Sequence, residues 1–222
     1  MTPAVPSLDV ERGMFGDVPI VIGIDEVGRG ALAGPVAVGL CALRVEDLDV
    51  AFPEGLRDSK LLSEKKREVL APASAAWVWE SAVGWASAAE IDEYGIGACL
   101  AAAAVRGLGE LWQAGVPISE AGILLDGSHD WLTPGLDSPL RVTVRPKADR
   151  DCAVVAAASV IAKVRRDAHM RELVASDSSL AVYGWESNKG YGSAAHREAI
   201  IANGPSGEHR RSWLSRILTA SS

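Results

Sequence analysis

The sequence predicts an α/β fold in which helices flank a mixed five-stranded sheet and a small helical part follows at the C-terminus. Three observations lead to this prediction. The chain opens with two apolar runs joined by a glycine-rich turn, later strand-like runs alternate with helical segments, and no internal repeat or linker divides the 222 residues. With 48% hydrophobic residues, the chain can fill one sizeable core.

Five segments have the apolar and β-branched composition of strands. Residues 19–25 and 35–44 lie on either side of the tight turn, and this spacing predicts a hairpin. Residues 77–85 alternate, with tryptophans on one face, which predicts a third strand. The last two strands are predicted at residues 122–125 and 140–144.

Helices are predicted between and after these strands, beginning at Ser63, Ser87, Ile96, residue 151 or 152, and Ser193. The first is expected to end near Ala71, because Pro72 cannot donate a backbone hydrogen bond. Ser87 and Glu90 have the spacing of a capping box. Residues 96–114 predict a long alanine-rich helix.

We expect residues 1–18 to be an N-terminal extension and residues 19–222 to be a single domain, whose helical part begins near residue 175. No uncharged stretch reaches the roughly 20 residues that span a bilayer. The first 18 residues carry three acids against one arginine, which does not fit a secretory signal. We therefore expect a cytoplasmic protein that does not associate with membranes. An odd number of cysteines in apolar surroundings favours reduced, buried thiols at Cys41, Cys99 and Cys152.

Charge is distributed unevenly along the chain. The net charge is −7, but residues 1–140 hold 9 Lys and Arg against 21 Asp and Glu, whereas residues 141–222 hold 13 against 8. The basic third also carries the aromatic residues Tyr183, Trp185, Tyr191 and Trp213. This pattern suits a docking surface for a polyanion such as nucleic acid. A solvated helix face that complements the acidic part explains the same counts equally well.

Four acids occupy positions where a purely structural acid is costly, namely Asp25, Glu26, Asp126 and Asp149. The first three end apolar strands and the fourth precedes a buried helix, so their desolvation must be offset by protonation, by pairing or by a shared cation. Taken singly, an acid at such a position is more often a turn former or a helix cap. As a set they favour a site for Mg²⁺ or Mn²⁺, since two such ions about 4 Å apart promote phosphodiester hydrolysis.

A glycine-rich turn, Gly28-Arg29-Gly30, follows the first two acids. Glycines there allow the backbone to approach a ligand closely with its N–H groups exposed. A dinucleotide-binding loop is excluded, because the following Gly34 and Pro35 lead into a strand and not into a helix. A plain hairpin turn remains the alternative.

Several motifs resemble one protein family. Residues 24–36 (IDEVGRGALAGPV) resemble the signature of ribonuclease HII. Further motifs follow in the order of that family, which are Asp58-Ser59-Lys60, Leu124-Leu125-Asp126-Gly127, Lys147-Ala148-Asp149 leading to residues 156–167, Asn188-Lys189-Gly190-Tyr191-Gly192, and His209-Arg210-Arg211-Ser212. Agreement in register from about residue 20 to 216 leaves little room for chance.

The resemblance implies a role for each candidate residue. The four acids would hold divalent metal. Gly28, Arg29 and Gly30 would grip the 2′-hydroxyl of a ribonucleotide and the adjoining phosphate, and Tyr191 would stack on the deoxyribose that follows. The 2′-hydroxyl is the group that distinguishes RNA from DNA.

Two basic residues are further candidates for contacts to the nucleic-acid backbone. Lys163 and Arg166 lie on one helical face with Ser159. Lys163 serves equally well as the structural partner of an acid. Asp151 is a nearby rival to Asp149, but the register of the family motif favours Asp149.

The resemblance implies a monomeric enzyme of ribonuclease H-like fold, with its catalytic domain over residues 19–222, that uses Mn²⁺ or Mg²⁺. Its substrates would be RNA/DNA hybrids and duplex DNA that contains ribonucleotides, cut on the 5′ side of a ribonucleotide to leave 5′-phosphate and 3′-hydroxyl ends. One alternative is a binding module without turnover, which the costly acids disfavour. The other is a ribonuclease H-like metal-dependent nuclease that acts on DNA structures, for which the glycine turn and Tyr191 have no use.

Overall fold

The computed structural model describes residues 5–219, which contain a five-stranded mixed sheet. Its strands are β1 (Ile20–Val27), β2 (Val36–Arg44), β3 (Glu80–Ala86), β4 (Ala121–Asp126) and β5 (Arg141–Arg145). They lie in the order β3-β2-β1-β4-β5, with β2 antiparallel to β1 and β3, and β4 parallel to β1 and β5. The predicted hairpin and mixed sheet are confirmed.

Helices cover both faces of the sheet and build the C-terminal part. They are α1 (Asp9–Met14), α2 (Glu64–Trp77), α3 (Ala88–Gln113), α4 (Ala148–Asp151), α5 (Ala153–Ser176), α6 (Trp185–Asn188), α7 (Ala194–Asn203) and α8 (Ser215–Thr219). One face of the sheet packs against α2 and α5, and the other packs against α3. The end of α5 and the segments after it enclose a smaller apolar cluster. The predicted flanking helices and helical C-terminal part are confirmed.

Alternation along β1 distributes its side chains between the two cores. Ile22 and Ile24 belong to the core beneath α3, whereas Val21 belongs to the core beneath α5, and Asp25 shares the face of Val21. Gly23 lets α5 approach this face closely, because a Cβ atom there would lie 2.7 Å from Cγ1 of Val154. The close approach brings α5 against the strand that carries Asp25.

The predicted end of the first long helix at Pro72 is wrong, because α2 continues to Trp77 and β3 begins only at Glu80. Leu70, Ser74 and Trp77 are buried on one side of α2, and their packing carries the helix past the proline. Pro72 lies on the exposed side, where water can reach the carbonyl group that loses its partner.

The remaining helix predictions hold. Ser87 and Glu90 form the predicted capping box. The short helix that they open and the alanine-rich helix meet at Gly95, whose backbone is not helical (φ 79°, ψ 158°), so that α3 is two segments joined at a kink. Ser193 caps α7 through its hydroxyl, which accepts a hydrogen bond from the backbone of His196.

The segment before β1 packs against the start of α5. The backbone N–H of Ser7 donates to the carbonyl oxygen of Asp151, and the N–H of Ala153 donates to that of Ser7, each at 3.0 Å. Glu11 is fully buried and its Oε1 accepts a hydrogen bond from the N–H of Val154 at 3.0 Å. This carboxylate therefore satisfies a backbone donor in the first turn of α5.

The three cysteines, Cys41, Cys99 and Cys152, are buried and free, as predicted. Within residues 5–219, no helix has the length and apolar character needed to cross a membrane.

We expect Gly84→Ala to destabilise the protein strongly. A Cβ atom at Gly84 in β3 would overlap the carbonyl oxygen of Ala103 in α3, and neither backbone can move without separating helix and sheet. The expected loss in the free energy of unfolding is about 3 kcal/mol or more, measured by urea unfolding. Gly109→Ala, in α3 but facing open space, is the matched control and should gain about 0.5 kcal/mol. Equal stability of the two variants would contradict this packing.

Candidate active site

The carboxyl ends of two parallel strands bring the first acids together. Ile24 of β1 pairs in register with Leu125 of β4, so the next residues, Asp25 and Asp126, stand side by side at the same edge of the sheet. Asp126 follows Leu124 by two residues and therefore shares its face, which is the face of the sheet covered by α5. The topology thus places two carboxylates on one face, at one edge.

The other two acids reach this edge from different directions. Glu26 is the next residue of β1, and its Oε1 lies 3.4 Å from Nη1 of Arg29. Asp149 lies in α4, just after β5, and its backbone N–H donates to Oδ1 of Asp126 at 3.3 Å. The left-handed backbone of Lys147 (φ 62°) turns the chain into α4. The structure therefore assembles all four predicted acids.

A cavity of about 240 Å³ opens beside the acids. It is lined by three of the four acids and most of the other predicted residues, which are Asp25, Glu26, Asp126, Gly28, Arg29, Gly30, Lys163 and Tyr191. Val27, Ser59 and Lys60 complete the lining. Residues that are far apart in the sequence thus line one small cavity.

Asp25 is the most strongly desolvated of these acids, with only 1% of its surface exposed. Its Oδ2 is buried and has no hydrogen-bond partner. Burial raises the pKa of Asp25 well above its usual value, and the charge of Glu26 raises it further, against the opposing effects of the Ser159 hydroxyl and of Lys60. Burial likewise raises the pKa values of Glu26 and Asp126. The cluster holds more negative charge than its surroundings satisfy.

Lys60 supplies part of the missing positive charge. Its Nζ lies 3.1 Å from Oδ2 of Asp149 and 3.9 Å from Oδ1 of Asp58. Partial burial acts to lower the pKa of Lys60, but the carboxylates of Asp25 and Asp149 outweigh it, so the net shift is upward. Lys60 was not among the predicted site residues, although the Asp58-Ser59-Lys60 motif is a signal in the sequence that this segment belongs to the site.

The acidic cluster suits a hard divalent cation. Among residues 5–219, no three His, Cys, Asp or Glu side chains form a ready-made metal cage. The cluster nevertheless offers carboxylate oxygens alone, and the unpartnered, buried Oδ2 of Asp25 is an acceptor that a cation would satisfy. The raised pKa values of Asp25 and Asp126 also favour a cation site, since a bound cation would lower both values and stabilise the ionised carboxylates.

A pair of serines connects α5 to the site. Oγ of Ser159 in α5 is hydrogen-bonded to Oγ of Ser59 at 2.9 Å, and both residues are buried. Ser159 also reaches Asp25, where its hydroxyl acts to lower the pKa of the acid. These two serines therefore tie the lysine segment and the central strand to one helix.

The glycine turn is held from beneath by Arg166. Gly28 has a positive φ of 85°, and a Cβ atom there would overlap the guanidinium of Arg166. The guanidinium is fully buried and donates to the carbonyl oxygens of Pro35 at 3.0 Å, Lys189 at 2.7 Å and Ala33 at 3.1 Å. The prediction that Arg166 contacts a nucleic-acid backbone is therefore wrong: its donors are spent on the protein backbone, out of reach of a phosphate.

Arg210 is a second buried arginine on the same turn. Its guanidinium donates to the carbonyl oxygens of Gly28 at 2.8 Å, Arg29 at 2.9 Å and Gly34 at 3.1 Å. Sequence reasoning gave Arg210 no role, and its signal was the His209-Arg210-Arg211-Ser212 motif. With carbonyl groups turned inward onto two arginines, the turn between β1 and β2 is rigidly supported.

Tyr191 lies over two cationic groups at the rim of the cavity. The centroid of its ring is 5.4 Å from Nζ of Lys163 and 5.3 Å from Cζ of Arg166. Lys163 also pairs with Asp167 at 2.7 Å. Lys163 is therefore the partner of an acid, as one interpretation of the sequence held, and it lines the cavity as well, so a contact to substrate stays a prediction.

Comparison with known proteins agrees with this geometry. The family model for ribonuclease HII matches residues 22–216. A ribonuclease HII of Streptomyces griseus is 47% identical over 210 residues, which cover 94% of this chain and 84% of that protein. The ribonuclease H2 of Pyrococcus horikoshii OT3 aligns with a TM-score of 0.70 at 26% identity, over 90% of this chain and 98% of that one. Bst-RNase HIII in complex with Mn²⁺ aligns with a TM-score of 0.71 at 24% identity, over 91% and 70%, and shows the shared fold alone.

A mixed sheet of this order, with acids at the ends of its adjacent parallel strands, defines a nuclease of the ribonuclease H-like class. The chain belongs to the ribonuclease HII family, and it is accordingly an endonuclease of RNA/DNA hybrids.

We expect Asp25→Asn to stabilise the metal-free protein at neutral pH. The folded-state pKa of Asp25 lies above its unfolded value, so this group favours folding in acid, and the contribution is lost as the pH rises through the folded-state pKa. Asparagine cannot ionise, so the variant does not lose this stability as the pH rises. The expected gain in the free energy of unfolding is about 1 kcal/mol at neutral pH, and it should shrink toward a pH of about 4, as measured by urea unfolding across this range.

Asp137→Asn, in an exposed loop, is the matched control and should change the free energy of unfolding by less than about 0.5 kcal/mol. Added Mn²⁺ should then stabilise the wild-type protein more than Asp25→Asn. A wild-type protein that is as stable at neutral pH as Asp25→Asn would show that burial of this acid carries no cost.

Proposed function

We propose that this enzyme cuts the RNA strand of RNA/DNA hybrids and also cuts on the 5′ side of single ribonucleotides in duplex DNA, leaving 5′-phosphate and 3′-hydroxyl ends. One observation carries the proposal: three of the four acids, the glycine turn and Tyr191 face the same cavity. The acids proposed to bind metal and the residues proposed to recognise the sugar can thus contact the same nucleotide. Because a single chain supplies every one of these residues, we also propose that the enzyme acts as a monomer.

Asp25, Glu26, Asp126 and Asp149 would hold the divalent cations, Mn²⁺ or Mg²⁺. When bound, such ions supply an activated water and stabilise the departing 3′ oxygen, without a covalent intermediate. The chain itself contributes the rigid placement of three of these carboxylates on adjacent parallel strands and of the fourth on α4. Lys60 partly neutralises the cluster beside Asp149.

The glycine turn would read the ribose. An ideal Cβ atom on Gly30 meets nothing within 4 Å, so neither packing nor backbone conformation within the protein requires glycine there. A close approach by a ligand does require it. The side chain of Arg29 is 56% exposed and lies beside Glu26, where it can meet the phosphate that adjoins the scissile bond. Because the carbonyl groups of the turn point inward to the buried arginines, its outer side is available to contact the substrate.

Tyr191 would read the sugar that follows. Its ring lies at the rim of the cavity above Lys163, and a flat aromatic surface packs closely on a deoxyribose, whereas an added 2′-hydroxyl would interfere. The glycine turn and Tyr191 together would recognise a ribonucleotide followed by a deoxyribonucleotide. This arrangement favours a single embedded ribonucleotide as substrate.

We expect Asp126→Asn to abolish cleavage while binding of the hybrid persists. The variant keeps the size of the side chain but removes a charge on which the cations depend, so the rate should fall by about a thousandfold or more. The measurement is single-turnover cleavage of a labelled hybrid in Mn²⁺, beside binding of the same hybrid by fluorescence anisotropy. Asp137→Asn is the control and should cleave normally. Near wild-type cleavage by Asp126→Asn would rule out the assignment of this acid.

We expect Gly30→Ala to fold normally and yet to cleave poorly. The fold has room for the methyl group, but the group would occupy the space through which the ribose approaches. We expect kcat/KM on a duplex with one ribonucleotide to fall at least about tenfold. Gly207→Ala, also facing open space but outside the cavity, should leave kcat/KM unchanged. An unaffected Gly30→Ala would mean that the turn does not approach the substrate closely.

The same assays separate this proposal from its alternatives. Equal cleavage of a branched, all-DNA substrate would favour a nuclease for DNA structures. Binding of the hybrid without cleavage by the wild-type protein in either metal would favour a module without turnover.

A further inference from the structure

Two buried histidines lie directly behind Tyr191. His196 of α7 is 0% exposed and His209 is 1% exposed, and their Nε2 atoms are 3.1 Å apart. Neither residue lines the cavity. Both lie in motif segments of the sequence or beside them, but the function proposed above gives them no task.

The hydrogen-bond partners of His196 fix where its proton lies. Its Nδ1 is 2.9 Å from the carbonyl oxygen of Tyr191, which can only accept, so Nδ1 carries the hydrogen. Its Nε2 accepts from the indole N–H of Trp185 at 3.0 Å, and an indole can only donate, so Nε2 carries none. His196 is therefore neutral and joins Trp185 to the backbone of Tyr191.

The partners of His209 fix the second tautomer in the same way. The backbone N–H of Ser206 donates to Nδ1 of His209 at 3.0 Å, so Nδ1 is unprotonated and the hydrogen lies on Nε2. That hydrogen points at Nε2 of His196, whose single lone pair is then shared by the donors of His209 and Trp185. Every ring nitrogen of the pair thus has a partner of the correct kind.

The surroundings keep both rings neutral. The side chains that face the pair are the aromatic rings of Tyr183 and Trp185, the hydroxyl of Ser206 and the positive charge of Arg211. Burial lowers the pKa of both histidines, and for His209 the neighbouring His196 ring and the positive charge of Arg211 oppose a second proton and lower the pKa further, to about 4. A second proton on either ring would place an N–H donor opposite another N–H donor, with no acceptor between them.

The pair connects the two elements that face the sugar. The carbonyl oxygen of Tyr191 accepts from Nδ1 of His196 at 2.9 Å, and the N–H of Arg210, next to His209, donates to the carbonyl oxygen of Leu32 in the glycine turn at 2.9 Å. The N–H of Gly34 donates in turn to the carbonyl oxygen of Glu208 at 2.8 Å. The imidazole pair therefore joins Tyr191 to the backbone at His209, whose neighbours Glu208 and Arg210 bind the turn. This connection adds to two direct bonds, in which the N–H groups of Leu32 and Ala33 donate to the carbonyl oxygen of Gly190 at 2.8 and 3.2 Å.

We propose that His196 and His209 are positioning residues that fix the backbone of Tyr191 relative to the glycine turn, beyond what the direct bonds of Gly190 achieve, and thereby the preference for a ribonucleotide followed by a deoxyribonucleotide. The inference rests on the proposed function of those two elements. The pair touches neither the acids nor the cavity, so its loss changes which substrate is preferred more than the rate of hydrolysis itself.

Two substitutions of His196 separate positioning from simple packing. In His196→Asn the side-chain amide nitrogen can take the place of Nδ1 and still donate to the carbonyl oxygen of Tyr191. In His196→Gln the amide reaches the place of Nε2 instead, and the bond to Tyr191 is lost. Both variants remove an imidazole from the same buried site, so a loss of stability is common to both.

The experiment compares kcat/KM on a duplex with one ribonucleotide and on an all-RNA hybrid, both in Mn²⁺, for each variant. We expect His196→Gln to lower the ratio of the two values at least fivefold, and His196→Asn to keep it within twofold of the wild type. His129→Gln, at an exposed position, is the matched control and should change nothing. Thermal unfolding of each variant measures stability separately from the ratio.

A wild-type ratio in folded His196→Gln, or an equal fall of the ratio in both variants, would overturn the inference. If His196→Gln does not fold, His209 gives the same test: His209→Gln can keep a donor toward His196 and should retain the ratio, whereas His209→Leu should lose it. Failure of the proposed function is distinct, because it appears in the wild-type enzyme as an absence of cleavage at a single ribonucleotide.

Discussion

The desolvation of carboxylates at the ends of β1 and β4 is the constraint around which the molecule is built. Asp25 is almost fully buried, beside Asp126 on the neighbouring parallel strand, and its Oδ2 has no partner within the protein. Such a group costs free energy unless it is protonated or meets a cation. The packing of the rest of the fold offsets this free energy, because α5 lies closely against Gly23 and an apolar core covers each face of the sheet.

Cationic side chains of the chain itself complement the acidic cluster and support the turn beside it. The exposed Lys60 offsets charge beside Asp149, and the buried guanidinium groups of Arg166 and Arg210 bind carbonyl oxygens of the turn between β1 and β2. Arginine suits this task because its planar group carries five donors in fixed directions. The turn is therefore preorganised before any substrate arrives, and the histidine pair behind Tyr191 extends the same support to the other side of the cavity.

The sequence predicts the strands and three of the acids because both depend on local pattern: an apolar run that ends in an acid marks the carboxyl end of a buried strand. Asp149 does not end such a run and is predicted from its place before a buried helix and in the family motif. It fails at Pro72, where burial of Leu70, Ser74 and Trp77 overrides the local effect of a proline. It also misjudges Arg166, since charge alone does not show whether a guanidinium meets a phosphate or a backbone carbonyl. The link between His196 and His209 joins segments whose contact only the tertiary structure determines.

The most direct test of the central claim is to map the cleavage site of the wild-type enzyme on a labelled duplex that contains one ribonucleotide. The reaction is run with Mn²⁺, with Mg²⁺ and with EDTA, beside an all-DNA duplex and a long hybrid. The account predicts one cut on the 5′ side of the ribonucleotide, dependent on metal and absent from all-DNA. Cleavage of the long hybrid without any cut at the single ribonucleotide would contradict the assigned roles of Tyr191 and the glycine turn.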